Sequence, residues 1–142
     1  MSFALREHTA DVAVEATGES LDTVFGAVAD GMAAAMCDEI PAEGGERFEL
    51  SVAAEGREPL LFDYLDELIY ERDVRGVLPV DNEAAVSAPQ SDDGSGEWTL
   101  SGSARGIPLD SVEARDLKAV TYSEMDLSET ADGWHAYVVF DV

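Results

Sequence analysis

Apolar residues in this chain recur at two periods, and the order in which those periods alternate constrains the fold more than any other feature. From Asp11 to Thr17, Val12, Val14 and Ala16 alternate with their neighbours, which is the pattern of a half-buried strand. Gly18 ends that run, and Ser20 occupies the position of a helix cap. Leu21, Val24, Phe25, Val28, Met32 and Met36 then follow helical spacing, with Asp22 in the first turn complementing the helix dipole. Pro41 and Gly44-Gly45 close the segment, and Phe48, Leu50, Val52 and Ala54 return to alternation. Pro59 predicts the first residue of a second helix running to about Arg72, whose buried face is Leu61, Tyr64, Leu65, Leu68 and Ile69.

Short strands are expected near 76–80 and 84–88, then a loop from Pro89 to Gly96, where small and polar residues crowd together. Further strands are expected at about 97–105 and 116–124, and a hairpin around Ala131-Asp132-Gly133 leads into a last strand at 134–142. Two helices set among six or more strands with hairpin-like spacing predict an α+β fold, mostly antiparallel, in a single domain spanning 1–142.

The chain carries 31 Asp and Glu against 8 Lys and Arg, a formal charge of −23. Small domains usually carry a charge of about 2 to 8 in magnitude, so self-repulsion would favour expansion in dilute buffer. In molar salt the Debye length falls to about 3 Å and that repulsion largely disappears. Acid excess and scarce lysine therefore predict a halophilic, cytoplasmic setting. No run of Lys and Arg exists to neutralise phosphates, so direct nucleic-acid binding is not expected. Cys37 stands alone, which excludes an intramolecular disulfide. Neither a signal peptide nor an apolar run of about 20 residues is visible, so no membrane partner is expected.

Lys118 is the one lysine, and every other cation is an arginine. An ammonium is a compact point charge that a guanidinium does not replace at a site shaped for one cation, which makes Lys118 a candidate functional residue. Asp141 and the α-carboxylate of Val142 lie side by side at the end of the last strand, and Asp11 opens the first alternating run. Were these to meet, the anions would favour a hard divalent cation; the alternative is that they are solvated surface acids. His8 and His135 suit satisfied turn or strand positions better than a ligand role, and Asp66 and Glu67 suit the polar face of a helix. No zinc-ligand set, nucleophile elbow, P-loop or dinucleotide fingerprint occurs.

Four segments taken together carry a resemblance. They are His8-Thr-Ala-Asp-Val12, Leu60-Leu-Phe-Asp-Tyr-Leu-Asp-Glu-Leu-Ile-Tyr70, Lys118-Ala-Val-Thr-Tyr-Ser-Glu-Met125 and Val138-Val-Phe-Asp-Val142. In this order and spacing the chain resembles the archease family from Glu7 to Val142. The resemblance implies a protein that is not itself an enzyme but an activator of the GTP-dependent tRNA-splicing RNA ligase. Such an activator promotes guanylylation of the ligase's catalytic histidine, sustains multiple turnover and broadens its nucleotide use. By motif, Asp11, Asp141 and the Val142 terminus would hold a divalent cation, Ca²⁺ in the family, and Lys118 would act beside it. Ser123 stands where many archaeal members carry His, so an imidazole role there is not expected. Two other readings remain open: a stand-alone metal-dependent hydrolase or transferase using Asp11, Asp141 and a metal-bound water, and a general chaperone or protein-interaction module.

Overall fold

In the computed structural model, which describes residues 2–7, 11–89 and 96–142, Ser20 begins the first helix as expected. Its hydroxyl accepts the Thr23 amide at 3.2 Å, satisfying one of the amides that a helix start leaves without a partner. The helix, α1, runs Leu21–Met36 and buries Val24, Phe25, Val28, Met32 and Met36. The second helix, α2, runs Arg57–Arg75 from an N-cap at Gly56. Pro59 is thus its third residue, not its first. The first intrahelical bond is Leu60 N–H to Gly56 C=O at 3.0 Å, so any of the three preceding positions tolerates a residue without an amide hydrogen. Gly76 ends α2 in the left-handed region, at φ 66°, where glycine meets no steric penalty.

Seven strands accompany the helices: β1 (Ser2–Glu7), β2 (Asp11–Gly18), β3 (Glu46–Ala54), β4 (Val77–Ser87), β5 (Trp98–Pro108), β6 (Ala119–Thr130) and β7 (Gly133–Asp141). They form two antiparallel sheets, ordered β1-β2-β7-β6 and β3-β5-β4. Each helix touches strands of both sheets, and one apolar cluster drawn from both helices and both sheets, with Phe25, Tyr64, Leu65, Leu100, Val138 and Phe140 among its members, forms the core. The fold is α+β, as the alternating periods require.

Two strand boundaries differ from expectation. The short strands expected at 76–80 and 84–88 are one strand, β4, whose register shifts between Val80 and Glu83. Asp81 takes φ 48° there. Its carbonyl accepts both terminal nitrogens of Arg47, at 3.0 and 2.6 Å, and its carboxylate pairs with Arg105 at 2.6 Å. The strand expected at 116–124 instead spans Ala119–Thr130; it begins later than expected, with Arg115 and Leu117 bonded to the helices. The expected 89–96 loop lies largely outside the described residues.

Candidate functional site

β2 begins with Asp11 and β7 ends with Asp141, and the antiparallel register sets these two residues directly opposite each other. Register partners project to the same face, with Cβ atoms about 5 Å apart. On its other flank Asp141 pairs with Ala119, the first residue of β6, and the amide of the preceding residue, Lys118, donates to the Asp141 carbonyl at 2.8 Å. Asp11, Lys118, Asp141 and Val142 therefore share one end of the four-stranded sheet, although 107 positions of numbering separate Asp11 from Lys118 (118 − 11). Asp11 is half-buried with its Oδ1 enclosed, whereas Lys118, Asp141 and Val142 are exposed.

This donor set fits a hard divalent cation by its chemistry. It consists of oxygen donors, and an ion bound at about 2.3 to 2.6 Å would relieve the repulsion of two carboxylates carried by register partners. Among the described residues, no three His, Cys, Asp or Glu side chains converge in metal-binding fashion.

The segment carrying Lys118 is held from two sides. Arg115 donates to the carbonyl of Ala35 through Nε and Nη2, at 3.2 and 3.0 Å, and grips Asp38 at 2.8 Å. Its own amide donates to the Met36 carbonyl at 2.6 Å, so the segment satisfies carbonyls left open at the end of α1. Arg72 of α2, only 8% exposed in its side chain, donates Nη1 to the Leu117 carbonyl at 2.7 Å and Nε to Asp73 at 2.9 Å. Neither arginine was anticipated as part of the site. A sequence signal for Arg72 exists: it lies four residues after Leu68 and three after Ile69, on the stripe that α2 buries.

Beyond Thr121, β6 bulges away from its partner, advancing five residues to Asp126 while β7 advances two. Ser123 lies exposed in this bulge and its carbonyl accepts the Thr121 hydroxyl at 3.4 Å. Tyr122, half exposed, packs its ring on Phe62 of α2 with centroids 5.5 Å apart. Partial burial, with Glu58 and Asp63 close by, pushes the Tyr122 hydroxyl above its ordinary pKa. Desolvation and then Asp66 raise Asp63; desolvation, then Glu71 and Asp66, raise Glu67. The outer side of α2 thus carries acids that repel one another.

His135 shares its strand face with Asp141, yet it sits six residues away, about 20 Å along an extended strand. There its Nε2 lies 3.1 Å from Glu15 and its Nδ1 3.5 Å from Asp126. Its ring nitrogens face two different carboxylates, so it does not join the acidic sheet end. His8 lies outside the described residues. No helix among the described residues is long and apolar enough to cross a membrane.

An α+β domain whose two antiparallel sheets are bridged by two helices is a fold with known counterparts. The family model described as the archease protein family (MTH1598/TM1083) matches residues 3–142. A protein of Pyrococcus furiosus named protein archease is 31% identical over 140 residues, covering 96% of this chain and 95% of its own. The solution structure of protein 1598 of Methanobacterium thermoautotrophicum superposes with a TM-score of 0.79 at 30% identity, over 99% of this chain and 98% of that one. A crystal structure from Thermotoga maritima, described as an archease and possible chaperone, shares the fold with a TM-score of 0.62 at 23% identity, over 96% and 94% of the two chains. The chain belongs to the archease family.

Proposed function

We propose that this protein is a non-catalytic activator of the GTP-dependent tRNA-splicing RNA ligase, promoting guanylylation of the ligase's catalytic histidine and so sustaining multiple turnover. The observation that carries this reading is family membership over residues 3–142. It is supported by the meeting of Asp11, Asp141 and the exposed Lys118 at one sheet end. A charge of −23 also suits a protein that acts on another protein and not on RNA.

In this reading Asp11, Asp141 and the Val142 terminus hold a divalent cation, Ca²⁺ by family resemblance. A bound cation would supply positive charge that polarises phosphate oxygens. The chain's own contribution is positional. The sheet register sets the two carboxylates side by side, and the Lys118 amide bond to Asp141 holds the lysine backbone beside them. Lys118, standing in solvent, orients a phosphate or an acidic group of the ligase by charge.

The test is multiple-turnover ligation by the cognate ligase in molar salt, with wild type, Lys118→Ala and Asp141→Ala. Substoichiometric activation by the wild type, lost in both folded variants, is expected. No activation by a folded wild type beside an active ligase would overturn the reading, and chelator-sensitive turnover by the purified protein alone would put a hydrolase in its place.

A further inference from the structure

The peptide unit joining Leu117 to Lys118 is clamped at both ends. Its carbonyl accepts Nη1 of Arg72 at 2.7 Å, and its amide donates to the Asp141 carbonyl at 2.8 Å. One clamp comes from a buried guanidinium on α2 and the other from the end of β7 beside Asp11. Leu117 is itself buried, so the residue before the lysine is anchored in the core while the lysine side chain is free in solvent.

We propose that Arg72 is the positioning residue for Lys118, fixing the Leu117–Lys118 peptide so that the ammonium is presented at the Asp11–Asp141 end of the sheet. This rests on the reading of Lys118 as the working cation. A peptide plane turns about one soft dihedral at each end, here ψ of Leu117 and φ of Lys118; holding both its carbonyl and its amide removes the rotation that would swing the next side chain away. Arginine suits the task because its planar fork makes several directed bonds at once, here to the Leu117 carbonyl and to Asp73, while its charge never leaves. Met36 Sδ, 3.9 Å from Nη1, and the aliphatic stem's place on the buried stripe of α2 keep the guanidinium from turning to solvent. A misplacement of about 1 Å in such a group costs on the order of a hundredfold in activity.

The experiment measures residue-resolved amide hydrogen exchange by NMR on the full chain in high salt, alongside ligase activation, for wild type, Arg72→Met and Arg72→Lys. In the wild type the Lys118 amide is expected to be protected. Arg72→Met is expected to speed Lys118 exchange at least tenfold while the α1 amides keep their rates, and to lower ligase activation at least tenfold. Arg72→Lys, which reaches one oxygen but cannot fork, is expected to recover part of both. A merely structural arginine would instead speed exchange across the whole core. An unprotected Lys118 amide in the wild type overturns the proposal, as does Arg72→Met or Arg72→Lys with unchanged Lys118 exchange. The wild-type measurement stands even if Arg72→Met does not fold. A Lys118→Ala variant that activates normally leaves the ligase reading standing but overturns the role of Lys118 and with it the purpose assigned to Arg72. Loss of activity in Lys118→Ala beside a fully active Arg72→Met overturns Arg72 alone, and no activation by the wild type overturns the ligase reading itself.

Discussion

The Lys118 amide donates to the Asp141 carbonyl at 2.8 Å, and Asp141 in turn faces Asp11 across the β2–β7 pair. One backbone bond therefore ties the chain's single lysine to the end of the sheet where two carboxylates stand on the same face.

Because the Lys118 side chain is exposed, its removal should leave the fold intact. Lys118→Ala is expected to abolish ligase activation while the thermal midpoint moves by no more than about 2 °C, as for most surface substitutions. A large drop in midpoint, read by calorimetry, would make Lys118 structural instead.

Calcium should stabilise the wild type. At a hundred times the dissociation constant, a ligand bound only by the folded state adds about 2.7 kcal/mol. Asp11→Asn and Asp141→Ala should each remove that calcium-dependent rise in midpoint, and identical calcium titrations in all three proteins would sink the metal assignment.

Tyr64 is buried, and its hydroxyl finds no hydrogen-bond partner among the described residues. Burial pushes that hydroxyl's pKa well up, with Asp30 adding to the effect. An unpartnered buried hydroxyl costs about 1 to 3 kcal/mol, so Tyr64→Phe should be neutral or stabilising by about 1 kcal/mol in denaturant titrations. A loss of more than about 1 kcal/mol would mean that the hydroxyl is satisfied after all.

Burial raises the pKa of the Asp30 carboxyl above its ordinary value, against the hydrogen bonds from Asn82 that pull it down. A raised folded-state value means the contribution is fully present below the unfolded value of 3.8 and is lost as pH rises through the folded one. Relative to Asp30→Asn, which keeps an acceptor for the Asn82 amide, the wild type should therefore lose stability from about pH 4 upward and then level off. A stability difference that does not change with pH would refute this.

Gly31 marks the close approach of α1 to β2: a Cβ there would lie 2.5 Å from Cγ1 of Val14 and 3.3 Å from the Phe3 ring. Alanine gains about 1 kcal/mol in helix propensity, but forcing a methyl against a stiff β-branched side chain costs about 1 to 3 kcal/mol. Gly31→Ala should be destabilising on balance, and a raised denaturation midpoint would show that the helix can move away.

The sequence by itself determined what depends on neighbours along the chain. The start of α1, its Ser20 cap, the buried stripe of α2 and the alternation of β2 and β3 were legible, because capping and periodicity involve residues a few positions apart. The family was legible from four short segments in order. The β4 bulge was not, since the arginines that hold Asp81 come 34 residues before it and 24 after it. Nor was the start of β6 at Ala119, preceded by bonds from Arg115 to α1 and from Arg72 to Leu117, the latter across 45 residues. Asp11 and Asp141 could be nominated from composition and place, but only the antiparallel register of β2 against β7 made them neighbours. A register belongs to two strands together, and it is set by core packing that neither strand contains.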